Sequence, residues 1–125
     1  DPALVGLCLD TGHHAYWKAN PKAFFLRHAA RINAIHLKNV DGAFREKVLA
    51  ENIHCDRAFE EGIMTDLDRG VVDIADFMHT LLAQGYDGPL VVEQDLAPKH
   101  PDAPEVIAAR NYAFVSSPLQ GRGGR

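Results

Sequence analysis

The 125-residue sequence is poor in cysteine and contains no long hydrophobic run. Its two cysteines, Cys8 and Cys55, are too few for a disulfide framework, and neither has the CxxC or HxxxH spacing typical of a zinc site. We expect both to be free thiols, with Cys8 buried inside an apolar strand. No apolar segment approaches the ~20 residues that a membrane-spanning helix needs. The sequence therefore excludes a disulfide-stapled fold and predicts no transmembrane helix.

Concentrated basic charge is also missing. The 13 lysines and arginines are outnumbered by 17 acidic residues, and only Arg122 and Arg125 make a locally basic segment. Proteins that bind nucleic acids or anionic membranes carry clustered positive charge, so we expect neither partner. No secretory signal pattern opens the sequence, and with two free thiols this predicts a cytoplasmic location.

What the sequence does contain is an alternation of apolar strands and patterned helices. Strands are predicted near residues 4–10, 32–37 and 89–93, each followed by a helical pattern. Such alternation is typical of right-handed βαβ units. We therefore predict an α/β fold in which the three strands are parallel and adjacent in that order, with helices on one side.

The helices are indicated mainly by their first residues. Asn20 is a suitable N-cap, and Pro21 after it suits the first position of a helix. Asp73 is placed to cap a second helix, whose apolar residues recur at i, i+3, i+4, i+7 and i+8. Pro104 opens a third helix near the end of the sequence.

The connection between residues 40 and 70 is long for a compact domain. A short helix is predicted from about Ala43 to Glu51, and a loop is predicted for the remainder. The chain as a whole is expected to form one domain over residues 1–115, followed by a disordered tail over residues 116–125.

The most informative pattern is a polar residue at the end of each predicted strand. Asp10, His36 and Glu93 occupy these places, and parallel sheets gather their chemistry at the carboxyl ends of their strands. Two carboxylates and an imidazole suit a divalent ion such as Mn²⁺, Co²⁺ or Mg²⁺. Taken singly, Asp10 could instead cap the turn that follows it, and His36 could be an ordinary core histidine.

Three segments resemble one enzyme family. The stretches VGLCLDTGHH, INAIHLKN and GVVDIADFMHTLLAQGYDGPLVVEQD are similar to the closing portion of the sugar isomerase/epimerase barrels related to xylose isomerase. Within that superfamily, YDGPLVVEQDLAP is most similar to the inosose dehydratases of inositol breakdown. The resemblance implies a partial (β/α) TIM barrel, consisting of the last three strand–helix units of an eight-stranded barrel that binds one divalent metal ion.

The resemblance also implies roles for individual residues. Asp10, His36 and Glu93 match three of the family's four metal ligands, and Glu93 would additionally serve as the catalytic base. His13 and Lys38 match positions that face the substrate. The fourth metal ligand, a glutamate, would belong to a strand that precedes residue 1.

The reaction implied by the resemblance is proton abstraction next to a carbonyl of a small polyol or keto-sugar. We expect a metal-dependent lyase or isomerase, most similar to inosose dehydratase. The alternatives are a sugar-phosphate or keto-sugar isomerase or epimerase, an inactive truncated barrel, and, least favoured on this acidic sequence, a metal-dependent endonuclease.

Three strands cannot close a barrel, so we expect either self-association or a missing N-terminal half. Strand alternation assigns several apolar side chains to the uncovered barrel interior. The expected interior residues are drawn from Leu7, Leu9, Ile35, Leu37 and Val91 or Val92.

Overall fold

The computed structural model describes residues 1, 3–98 and 100–120. The elements in chain order are β1 (Leu7–Asp10), α1 (Thr11–Tyr16), α2 (Pro21–His28), a 3₁₀ turn (Ala29–Arg31), β2 (Ile32–Leu37), β3 (Asn39–Val40), α3 (Gly42–Glu51), α4 (Cys55–Glu60), β4 (Met64–Thr65), α5 (Ile74–Ala83), β5 (Leu90–Val92) and α6 (Pro104–Gln120).

The main sheet has the order β1-β2-β5, and both of its strand pairs are parallel. In its register Asp10 lies beside His36, and His36 lies beside Val91. The predicted α/β class, strand order and strand direction are confirmed, and they are consistent with part of a TIM barrel. The first strand is shorter than predicted because it begins at Leu7, while Leu4 and Val5 are exposed to solvent.

The predicted helix starts are present and capped as expected. The Asn20 side chain accepts a hydrogen bond from the backbone N–H of Ala23, and the Asp73 side chain accepts one from the backbone N–H of Asp76. Each bond satisfies one of the amide groups that a helix N-terminus leaves without an intrahelical partner. These caps fix where α2 and α5 begin relative to the strands.

The main core lies between the sheet and the helices α2, α5 and α6. Buried strand residues pack against Phe25 of α2 and Phe77 of α5. The two rings pack edge to face, with their centroids 6.0 Å apart. This corrects the prediction that the large apolar strand residues face the barrel interior. Alternation divides a strand into two faces but does not say which one the helices cover. The residues on the helix side are Leu9, Ile35 and Leu37, with Leu7 partly buried against them.

The opposite face of the sheet carries smaller and polar residues. Cys8 pairs with Ala34 in register, and Val91 pairs with His36. No helix among the described residues covers this face, so Cys8 is exposed rather than buried as predicted. Val91 was one of the two alternatives predicted for the interior, and it is 44% exposed.

Residues 40–70 do not form the predicted loop beyond Glu51. They contain α3, as predicted, and also α4 and an antiparallel pair made by β3 and β4. The reason is a second apolar core, which the sequence pattern did not reveal because its members come from several short elements. Its buried residues are Ala15, Tyr16, Val40, Val48, Ala58, Ile63 and Met64.

The last helix is longer than predicted. It extends to Gln120, so residues 116–120 are helical instead of part of a disordered tail, and residues 121–125 lie outside the described residues. Phe114 and Val115 pack against the main core and hold the final turns of the helix. None of the helices in the described ranges has the length and apolar character required to cross a membrane.

Candidate functional site

Asp10 ends β1 and at the same time caps α1. Its Oδ1 accepts a hydrogen bond from the backbone N–H of His13 at 2.8 Å. Its Oδ2 is buried and has no hydrogen-bond partner among the described residues. The capping and ligand interpretations of Asp10 are therefore compatible, because each uses a different carboxylate oxygen.

His36 lies next to Asp10 on the neighbouring strand, and its side chain is partly exposed on the open face of the sheet. Its Nδ1 is 2.6 Å from Glu93 Oε2 and 3.9 Å from Asp10 Oδ2. The imidazole thus contacts one carboxylate and lies close to another. This placement differs from that of a core histidine, which would be enclosed by apolar side chains.

Glu93 follows β5 directly, and its backbone N–H donates to the carbonyl of Leu37, which extends the strand pairing by one bond. Burial alone would raise the pKa of Glu93. The hydrogen bond with His36 and the charge of Lys38 outweigh burial and lower the pKa of Glu93 below its usual value. The glutamate is therefore ionised at neutral pH.

The three residues fit a divalent cation. One nitrogen and two oxygen atoms, contributed by Asp10, His36 and Glu93, lie within 4.8 Å of one another. Ligand atoms that each lie 2.0–2.3 Å from one ion are separated by up to about 4.5 Å. The buried Oδ2 of Asp10 accepts no hydrogen bond among the described residues, and a bound cation would supply it with a direct ligand contact. Donors of this type suit Mn²⁺, Co²⁺ or Mg²⁺.

Lys38 is buried beside these residues, with its side chain only 2% exposed. Its Nζ lies 3.4 Å from Asp10 Oδ2, 3.3 Å from Glu93 Oε2 and 2.7 Å from Asp95 Oδ2. Burial lowers the pKa of Lys38, but the hydrogen bond to Asp95 and the surrounding carboxylates more than compensate, so its pKa is raised. Lys38 is therefore a buried ammonium ion at neutral pH.

Two small residues after Asp10 hold Lys38 in place. The Thr11 hydroxyl donates to the Lys38 carbonyl at 2.7 Å and accepts from the Lys38 N–H at 2.9 Å. Gly12 packs so closely that an added Cβ would lie 2.6 Å from Lys38 Cγ. Sequence reasoning missed both roles, although small residues directly after a strand-end carboxylate are the available signal.

His13 lies at the rim of the cluster. Its Nδ1 is 3.6 Å from Asp10 Oδ2, its Nε2 is 3.4 Å from Lys38 Nζ, and half of its side chain is exposed. The structure thus brings His13 and Lys38 beside the three strand-end residues, as the resemblance implies. Their contact with a substrate stays a prediction.

Asp95 and Asn111 are members of the site region that the sequence analysis did not identify. Asp95 lies two residues after Glu93, and both carboxylates contact Lys38. Between them, Gln94 accepts a hydrogen bond from the buried Asn111 of α6 at 3.1 Å. Asn111 therefore anchors the segment that presents both carboxylates. The signal for Asp95 was its two-residue spacing from Glu93.

Comparisons with known proteins support the fold. The chain matches the family model of the xylose isomerase-like TIM barrel over residues 1–113. It is 34% identical to an inosose dehydratase of Bacillus licheniformis over 116 residues, which are 93% of this chain and 37% of that protein.

Two further relatives show similar coverage. A rhizopine catabolism protein of Rhizobium meliloti, MocC, is 37% identical over 115 residues, which are 90% of this chain and 35% of that protein. An inosose dehydratase of Geobacillus kaustophilus is 36% identical over 103 residues, covering 81% of this chain and 33% of the relative. The chain thus spans only 33–37% of the length of these three curated relatives.

Proposed function

The chain belongs to the xylose isomerase-like TIM barrel family, and we propose that it contributes three strand–helix units and three metal ligands to a sugar-modifying barrel enzyme. The observation that carries this proposal is the clustering of Asp10, His36 and Glu93, in which the buried Oδ2 of Asp10 accepts no hydrogen bond among the described residues. The remaining strands of the barrel would cover the open face of the sheet, where Val91 is exposed. They would also supply the missing glutamate ligand.

The proposed reaction is the dehydration of an inosose, a small cyclic polyol that carries one ketone. The support is that curated relatives from several bacteria bear this name at 29–36% identity. In such a dehydration the enzyme removes a proton from the carbon next to the carbonyl, and the hydroxyl on the following carbon leaves as water. No oxidant or reductant is needed, because the substrate and product differ only by one water molecule.

The residues of this chain can perform the proton transfer and orient the substrate. Glu93 is ionised, so its carboxylate is able to accept the proton. The half-exposed His13 can donate a hydrogen bond to a substrate oxygen from the rim, and the buried Lys38 ammonium contributes positive charge behind it. A divalent cation held by Asp10, His36 and Glu93 would supply Lewis acidity that stabilises negative charge on the carbonyl oxygen.

A keto-sugar isomerase or epimerase is the second candidate. One relative, at 37% identity, is named for rhizopine catabolism and not for a dehydration. The same residues would then remove the proton, but the proton would return to the substrate and no water would be lost. The two candidates therefore differ in the mass of the product.

The test is an activity assay on the full-length polypeptide with Mn²⁺, using an inosose as substrate and mass spectrometry of the product. We expect a product lighter by one water molecule, loss of activity after chelation, and recovery when Mn²⁺ is restored. The variant His36→Ala should be inactive, whereas His79→Ala, at an exposed position on α5, serves as the matched control. A product with the same mass as the substrate would favour the second candidate, and activity in His36→Ala without metal would refute both.

A further inference from the structure

Lys38 places a positive charge beside the carboxylates that would bind a metal ion. Its ammonium lies 3.4 Å from Asp10 Oδ2 and 3.3 Å from Glu93 Oε2, and both of these oxygens are proposed metal ligands. A buried ammonium at these distances competes with a cation for the same carboxylates. A metal site here therefore requires that Lys38 does not neutralise the carboxylates of Asp10 and Glu93.

Asp95 can hold the Lys38 ammonium away from these two carboxylates. The Lys38 Nζ donates a hydrogen bond to Asp95 Oδ2 at 2.7 Å, a shorter contact than either of its contacts with Asp10 and Glu93. Charged hydrogen bonds of this length are the stronger ones. The ammonium is thus held mainly by a carboxylate outside the proposed ligand set.

The anchoring of Asp95 supports the same conclusion. Asp95 directly follows Gln94, whose side chain is bound by the buried Asn111. The backbone of Lys38 is fixed independently by both of its hydrogen bonds with Thr11. The backbone of Lys38 and the residue that precedes Asp95 are thus both held by contacts outside the proposed ligand set.

We propose that Asp95 is a positioning residue that holds the Lys38 ammonium and thereby leaves Asp10 and Glu93 available to a divalent cation. This inference rests on the proposed function, since it assumes that the three strand-end residues bind a metal ion. If Asp95 is neutralised, Lys38 shifts its hydrogen bonds to Asp10 and Glu93. The metal affinity then falls, although no metal ligand has been changed.

The experiment is a double-mutant cycle on the full-length polypeptide, with Mn²⁺ affinity measured by calorimetry. Asp95→Asn should weaken Mn²⁺ binding about tenfold, the factor expected when a charged hydrogen bond is redirected. Lys38→Met should tighten binding. In the Lys38→Met background, Asp95→Asn should change the affinity by less than about threefold, because Asp95 can then no longer act through Lys38 and only its own charge is removed.

Two further variants serve as controls. Asp95→Glu keeps the carboxylate and should restore most of the affinity. Asp87→Asn makes the same charge change at an exposed position that precedes β5, away from Glu93 at the other end of the strand, and it should leave the affinity unchanged. Thermal denaturation of each variant checks that it is folded.

The outcomes separate this inference from the proposed function. If the parent protein binds Mn²⁺ and Asp95→Asn weakens binding equally with and without Lys38, Asp95 acts only as a general negative charge and the inference is wrong. Unchanged affinity in Asp95→Asn also overturns it. If the parent protein binds no divalent ion, both the proposed metal site and the role of Asp95 are refuted together.

Discussion

Replacing Thr11 by valine should destabilise the protein far more than the loss of one hydroxyl suggests. Thr11 is fully buried, and its hydroxyl satisfies both the carbonyl and the N–H of Lys38. Valine has nearly the same shape but cannot form either bond, so two buried backbone groups lose their partner. Each buried unsatisfied group costs ~1–3 kcal/mol, so the two together predict a loss of roughly 2–6 kcal/mol in the free energy of unfolding.

The assay is urea and thermal denaturation of the full-length polypeptide without metal. At about 2–4 °C per kcal/mol for a large domain, even the lower end of this range corresponds to a fall of about 4 °C or more in the melting temperature. Thr80→Val is the matched control, because its hydroxyl donates only to the Asp76 carbonyl within an α-helix and lies nearer the surface. Thr11→Ser should retain most of the stability. Equal effects of Thr11→Val and Thr80→Val would refute the assignment of Thr11 as the support of Lys38.

Three further predictions concern the ligands, the core and the open face. Asp10→Asn should weaken Mn²⁺ binding more than about tenfold in calorimetry, while the melting temperature changes little because asparagine is also a good N-cap; unchanged affinity would exclude Oδ2 as a ligand. Phe77→Ala should lower the free energy of unfolding by ~3–5 kcal/mol in urea titrations, whereas Leu26→Ala, at a half-exposed position, should cost under about 1 kcal/mol. Val91→Lys should reduce self-association of the isolated 125-residue chain in sedimentation velocity; a parent chain that is already monomeric would contradict this.

The strand-end residues could be predicted from sequence because a parallel sheet places the carboxyl ends of its strands at one edge. Asp10, His36 and Glu93 each follow an apolar segment, and the register then brings them together without any need for closeness in sequence. The capped helices α2 and α5 could be predicted for a similar reason, since their caps and apolar rows are local features.

The supporting contacts could not be predicted because they join residues far apart in sequence with no periodic pattern between them. Thr11 and Lys38 are 27 residues apart, and Lys38 and Asp95 are 57 residues apart. The face of the sheet was wrongly assigned for Leu9 and Ile35, because alternation alone is symmetric between the two faces. Helix α4 and strand β4 were missed because their few apolar residues bury against a second core.

The most direct test of the proposed metal site is anomalous diffraction from crystals of the full-length polypeptide grown with Mn²⁺. The proposed function predicts one strong peak per chain, with Asp10 Oδ2, a nitrogen of His36 and a carboxylate oxygen of Glu93 all within about 2.0–2.3 Å of it. The peak should disappear in His36→Ala crystals grown in the same way. A manganese ion bound elsewhere, or no peak at these three residues, would contradict the central claim that the strand ends form a metal site.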